Sequence, residues 1–162
     1  MKKNEIVITR IFEAPVELVW KYWTEPEYSK RWWAPKDFTC SVSKIDFKVG
    51  GKYFSCMRGK MPDGKITEVC STGVYKEIIP LKKLVMSDSF ADKKGNVVPA
   101  SHYGFEGFFP MNLLITVTFE NLKDKTKITL KHSGLEDVDD KMKSDMEQGW
   151  SQMFDKLNKI IK

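Results

Sequence analysis

Two side chains able to hold or move a proton sit in strand-like runs that are otherwise apolar. Asp88 lies in "KLVMSDSF" (83–90) with the parity of Leu84, Met86 and Phe90, and alternation turns it toward their face. His132 ends "KTKITLKHS" (125–133) on the face of Ile128 and Leu130. A carboxylate or imidazole among apolar neighbours is a candidate general base or an anchor for a polar ligand atom. A satisfied structural role is the alternative for each. The other histidine, His102, falls in "DKKGNVVPASHYGFEGFFPMN" (92–112), together with Tyr103, Phe105, Phe108 and Phe109. Long loops that combine apolar rings with glycine serve as lids or interfaces. The stretch 95–110 is therefore the expected contact surface for a chaperone or a second copy of the chain.

Familiar catalytic signatures do not occur. There is no G-x-S-x-G, no H-E-x-x-H, no paired-cysteine motif and no phosphate-binding glycine loop. Gly50-Gly51 and Gly64 read as turn residues. With two histidines, a metal centre would rest on carboxylates whose spacing fits no known pattern. The expectation is a binder rather than an enzyme, with no catalytic residue, no metal, no bound nucleotide and no cofactor.

The 162 residues fit one domain, 1–162, with 41% hydrophobic and 30% charged residues. The formal net charge is +5, but the lysines are scattered and no stacking aromatics interleave with them. Nucleic acid is not an expected partner. No segment approaches the length of a membrane span, and the basic N-terminus lacks the apolar core of a signal peptide. Cys40, Cys56 and Cys70 are odd in number and widely spaced, which predicts reduced thiols and a cytoplasmic location.

The elements that must position these groups follow from periodicity. "EIVITRIF" reads as a strand. Pro15 opens a helix carrying Val16, Val19, Trp20 and Trp23. Thr24 and Glu27 form a capping-box signature for a second short helix, along which Tyr28 and Trp32 share a face. About six antiparallel strands follow, with turns at "KVGG", "PDG", "PLK" and "NLKD". The clearest alternation sets Leu113, Ile115, Val117 and Phe119 against Leu114, Thr116, Thr118 and Glu120. A long helix from about Asp139 ends the pattern. Its apolar stripe runs through Met142, Met146, Trp150, Met153, Leu157, Ile160 and Ile161, with Phe154 at the border.

Two features suggest a ligand wall. "KRWWAPKDF" (30–38) sets Trp32 beside Trp33 at a helix end, where one packing face cannot take both rings. The expectation is one ring in the core and one at an entrance. Met142, Met146, Trp150 and Met153 supply adaptable apolar surface, and Gly149 interrupts the stripe with missing volume. Plain core packing explains either feature equally simply.

The order of these motifs resembles the AHSA family of the START-like, or SRPBCC, superfamily. The resemblance is carried by "ITRIFEAPVELVWKYWTEPEYSKRWWAP", "FKVGGKYFSCM", "GVYKEIIPLKKLVMSD", "TVTFENLKDKTKITLKHSGL" and "GWSQMFDKLNKII". It implies an α+β helix-grip fold: a curved antiparallel sheet of six to seven strands on a long C-terminal helix, with two short helices after the first strand. It further implies a cavity between sheet and helix for apolar or amphipathic ligands, and a link to stress response. Trp32, Trp33, Asp88, His102, Phe105, Phe108, His132, Met142, Met146, Gly149, Trp150 and Met153 are the candidate ligand-binding residues. A protein-interaction or co-chaperone-like module and a cyclase-type enzyme are the alternatives. The chaperone-activating relatives carry a second, N-terminal domain for which 162 residues leave no room.

Overall fold

The computed structural model describes residues 4–105 and 107–161. Strand β1, Glu5–Phe12, is followed by Pro15, which holds φ at −67° and caps helix α1, Val16–Thr24. Helix α2, Pro26–Ser29, is a single turn with its proline in the first position. The expected Thr24–Glu27 capping box does not form. The Thr24 hydroxyl instead donates to the Trp20 carbonyl at 2.9 Å inside α1, and Glu25 stands at the cap without a side-chain bond. A hydroxyl near a helix end finds the carbonyl four residues back already within reach. Because α2 stops at Ser29, Trp32 lies beyond it rather than along it.

Six strands follow: β2 Thr39–Ile45, β3 Lys52–Lys60, β4 Ile66–Ile79, β5 Lys83–Ala91, β6 Leu113–Asn121 and β7 Thr126–Ser133. They join β1 in one antiparallel sheet of order β1-β7-β6-β5-β4-β3-β2. Register shifts between Cys40 and Val42 and between Tyr75 and Glu77 bend the sheet, since an extra residue on one strand raises local twist. At Gly51 a Cβ would collide with the Asp46 carbonyl, so this turn has no room for a side chain.

Helix α3, Asp140–Ile160, begins where the Asp139 carboxylate accepts the Met142 backbone N–H at 2.8 Å. With the curved sheet it completes the α+β helix-grip architecture. Trp150, Met153, Phe154 and Leu157 are buried against the sheet and α1. Two stripe positions differ from expectation. Phe154 is fully buried at the centre of the core, edge-on to Phe12 at 5.7 Å, because it falls one turn after Trp150. Ile160 is exposed, and Ile161 takes the inward place.

The cysteines also depart from expectation. Cys56 and Cys70 face each other across β3 and β4 and are joined by a disulfide, while Cys40 is free and buried. The turn centred on Asp63 sets both at equal distance along the hairpin, which makes them direct cross-strand neighbours.

Candidate functional site

The concave face of the sheet carries one connected polar array. Trp150 on α3 donates its indole N–H to His132 Nδ1 at 3.0 Å. An indole nitrogen only donates, so Nδ1 is the acceptor and the neutral ring carries its proton on Nε2. That nitrogen lies 3.1 Å from Asp88 Oδ2, too poorly aligned for a regular hydrogen bond but close enough for electrostatic attraction. Asp88 Oδ1 accepts the Tyr53 hydroxyl at 3.1 Å, and the same hydroxyl lies 2.9 Å from the Ser87 carbonyl. Burial first, and the Asp88 carboxylate second, push the Tyr53 hydroxyl well above its ordinary range and keep it a donor. The His132 side chain is 5% exposed and that of Asp88 is 24% exposed. Asp88 is therefore the most accessible member of the array.

Gly73 makes this reach feasible. It pairs with Tyr53, and a Cβ there would come within 2.5 Å of Tyr53 Cε2 and collide with the Ser87 carbonyl. The tyrosine ring thus crosses β4 over a position that has no side chain.

Aromatic rings surround the array. Trp32 is 1% exposed and anchored by its N–H to the Tyr22 carbonyl at 2.9 Å. Trp33 is half-buried and makes edge-on ring contacts with Trp23, Trp32 and Trp150 at 5.6, 5.1 and 5.5 Å. Beside it lies a cavity of about 20 Å³, space for one water, lined by Trp23, Trp33, Tyr53, Tyr75, Met86 and the hydroxyls of Ser29, Ser43 and Ser55 among others. The Trp23 side chain is buried, and its indole N–H has no hydrogen-bond partner among the described residues. The large cavity expected between sheet and helix is thus mostly filled by tryptophan, tyrosine and phenylalanine.

The remaining candidates separate into three places. Met153 is buried in the main core. Met142 and Met146 are half-buried against a smaller cluster of Ile6, Leu113, Leu135 and Val138, which Phe109 also joins. In the long loop, Phe105 stacks on Phe90 at 5.5 Å, while His102 and Phe108 are exposed. His102 sits on a single 3-10 turn, Ala100–Tyr103, edge-on to Tyr103 and outside the Asp88 array. The Tyr103 hydroxyl donates to the Ala91 carbonyl and accepts the Cys70 N–H, fastening the loop to β4 and β5. Gly149 is half-buried, and a Cβ built there meets nothing within 4 Å.

Structure therefore joins Trp33, Asp88, His132 and Trp150 from four segments of the chain. Sequence reasoning missed Tyr53, Trp23 and Gly73. Strand parity had the information for the first, since Tyr53 and Ser55 share one face of β3. The missing partner of Trp23 has no sequence signal.

A seven-stranded antiparallel sheet gripping one long terminal helix, with two short helices between its first strands, defines a START-like domain. Residues 13–162 match the family model described as "Activator of Hsp90 ATPase homolog 1-like protein", and the chain belongs to this family. Solved structures carry the same fold. One is a solution structure of a protein from Arthrobacter aurescens, 26% identical with a TM-score of 0.78, covering 98% of this chain and 86% of that one. Another, from Staphylococcus epidermidis, is 24% identical with a TM-score of 0.77, covering 99% and 91%. A protein titled AHSA1 from Silicibacter pomeroyi is 18% identical with a TM-score of 0.68, covering 96% and 95%. No curated protein matches the chain. Among the described residues, no helix is long and apolar enough to cross a membrane.

Proposed function

We propose that this chain is a cytoplasmic binding module for an apolar or amphipathic small molecule seated between Trp33 and the concave sheet. The observation that carries the reading is the Trp23 indole N–H, buried without a partner at a cavity whose other walls are mainly aromatic and apolar. A buried donor left unpaired costs about 1–3 kcal/mol, and a ligand oxygen would recover it. Sites for small molecules combine such apolar walls with a few placed polar groups. Asp88 supplies the second polar contact, toward a ligand N–H or O–H. Entry requires Trp33 to swing aside: its half-buried side chain makes only ring contacts among the described residues, whereas the Trp32 side chain is tied by a hydrogen bond.

Titration with an environment-sensitive apolar dye tests this, read by tryptophan fluorescence. The native, monodisperse protein should bind saturably, and the folded Trp33→Ala variant should take up free indole in place of the lost ring. Dye binding confined to partly unfolded protein, or a folded Trp33→Ala that ignores indole, overturns the reading. Native mass spectrometry of protein from its own host would then identify the natural ligand. A second reading, an interaction module, is favoured by exposed Val97, Phe108 and Met111 in one loop region. Self-association abolished by Phe108→Ser would support it.

A further inference from the structure

The convex face of the sheet carries a different kind of site. Tyr53 points to the concave side, so alternation turns its neighbour Phe54 outward, and register sets Lys44 and Thr72 beside Phe54 on the same face. Lys52, two residues before Phe54, shares that face. The turn after β5 folds over them: Gly95, at φ +88°, would bring a Cβ to 3.9 Å from the Phe54 ring. Together these residues line an open groove of about 470 Å³ that includes Lys44, Lys52, Phe54, Lys93 and Lys94.

Three observations point to an anion. First, none of the four lysines has a carboxylate within 4.0 Å among the described residues, and the groove's one acid, Asp46, lies 3.7 Å from Lys48. Gathering like charges without a counter-charge is unfavourable, and a bound anion relieves it. Second, the turn that carries Lys93 and Lys94 is built in advance. The Asp92 carboxylate accepts the backbone N–H groups of Lys94 and Asn96 at 2.9 and 3.0 Å and the Asn96 side-chain amide at 3.2 Å. Asp92 is thereby committed to the turn. Third, the volume lies within the range of small-molecule sites, about 300–1,000 Å³.

We infer that this groove binds a phosphate-bearing small molecule of nucleotide size. Lysine ammoniums are compact charges that suit the several oxygens of a phosphate, and the half-buried Phe54 ring offers a platform for a flat group. The groove adjoins the Trp33 cavity, with which it shares Lys44, Ile45, Tyr53 and Phe54, but it is argued from its own charges and does not depend on the function proposed above.

Calorimetric titration of the full chain at low ionic strength tests this with two probes, inorganic tripolyphosphate and ATP. Saturable one-to-one binding is expected, weakening as salt rises. The double variant Lys44→Glu/Lys93→Glu, its fold checked by circular dichroism, should bind at least about tenfold more weakly. Tighter binding of ATP than of tripolyphosphate, with the difference lost in Phe54→Leu, assigns the site to a nucleotide; equal binding assigns it to phosphate alone. No saturable binding of either probe, or affinity unchanged in the folded lysine variant, overturns the proposal. So does binding of a single-stranded oligonucleotide while both small probes are ignored.

Discussion

The one-way indole bond from Trp150 decides which nitrogen of the His132 ring carries the proton, and thus what Asp88 meets. Replacing His132 with leucine keeps bulk but leaves the Trp150 N–H buried without an acceptor and Asp88 without the polarised N–H at Nε2 beside it. The expected loss is about 1–3 kcal/mol by chemical denaturation. His132→Gln, which retains both an acceptor and a donor, should lose less. Equal stability of the leucine variant and the parent would show that the array contributes nothing to the fold. Nitrogen-detected NMR should place the proton of His132 on Nε2. At this scale, parity along two strands made Asp88 and His132 legible, and helical spacing did the same for Trp150. Tyr53 escaped notice because its role needs Gly73 on the neighbouring strand, a pairing that only the register reveals.

Among the elements, the β3–β4 hairpin joins local turn chemistry to a covalent bond. Its tight turn around Asp63 places Cys56 opposite Cys70, both nearly or wholly buried. The purified, oxidised protein should therefore show one reactive thiol on denaturation, that of Cys40, and two more after reduction. Closing a loop of this length in the unfolded chain is worth about 3 kcal/mol in the chain-entropy account, so reduction should lower stability by up to that amount. Three titratable thiols in the oxidised, denatured protein would show that the bond does not form. Reducing compartments keep such pairs open, which makes the bond's state in the cell part of the same measurement. Strand bounds and the α3 cap were readable because alternation and an aspartate cap are local signals. The capping box failed for the converse reason: two local bonds competed for Thr24, and the one inside α1 prevailed. Spacing along the chain does not pair the cysteines, because their informative feature is mirror symmetry about the turn at Asp63.

Across the whole molecule, the proposed entry at Trp33 requires that one region open more readily than the rest. The centre of the sheet, β5 to β7, is paired on both sides and buries Leu84, Ile115, Val117, Ile128 and Leu130 almost completely. The route from α2 to β2 is held differently. Apart from the buried Trp32 anchor, it has one helical turn, a 3.4 Å contact between the Ser43 and Ser29 hydroxyls, and two ties from α3. In those ties Gln152 Oε1 accepts the Lys36 N–H at 3.1 Å, and Lys156 donates to the Pro35 and Phe38 carbonyls. Burial holds the Lys156 ammonium below its usual pKa, a sign that its desolvation offsets part of what those two bonds contribute. Regions with few buried contacts and solvent-facing backbone bonds open locally, while core strands exchange only on global unfolding. Native-state hydrogen exchange should therefore show amides of 30–38 exchanging by local opening, independent of low denaturant, and those of β6 and β7 exchanging only by global unfolding. Saturating dye should slow the 30–38 segment selectively. Exchange of that segment at the global rate would mean that Trp33 moves only when the whole domain unfolds, and the proposed entry route would fall.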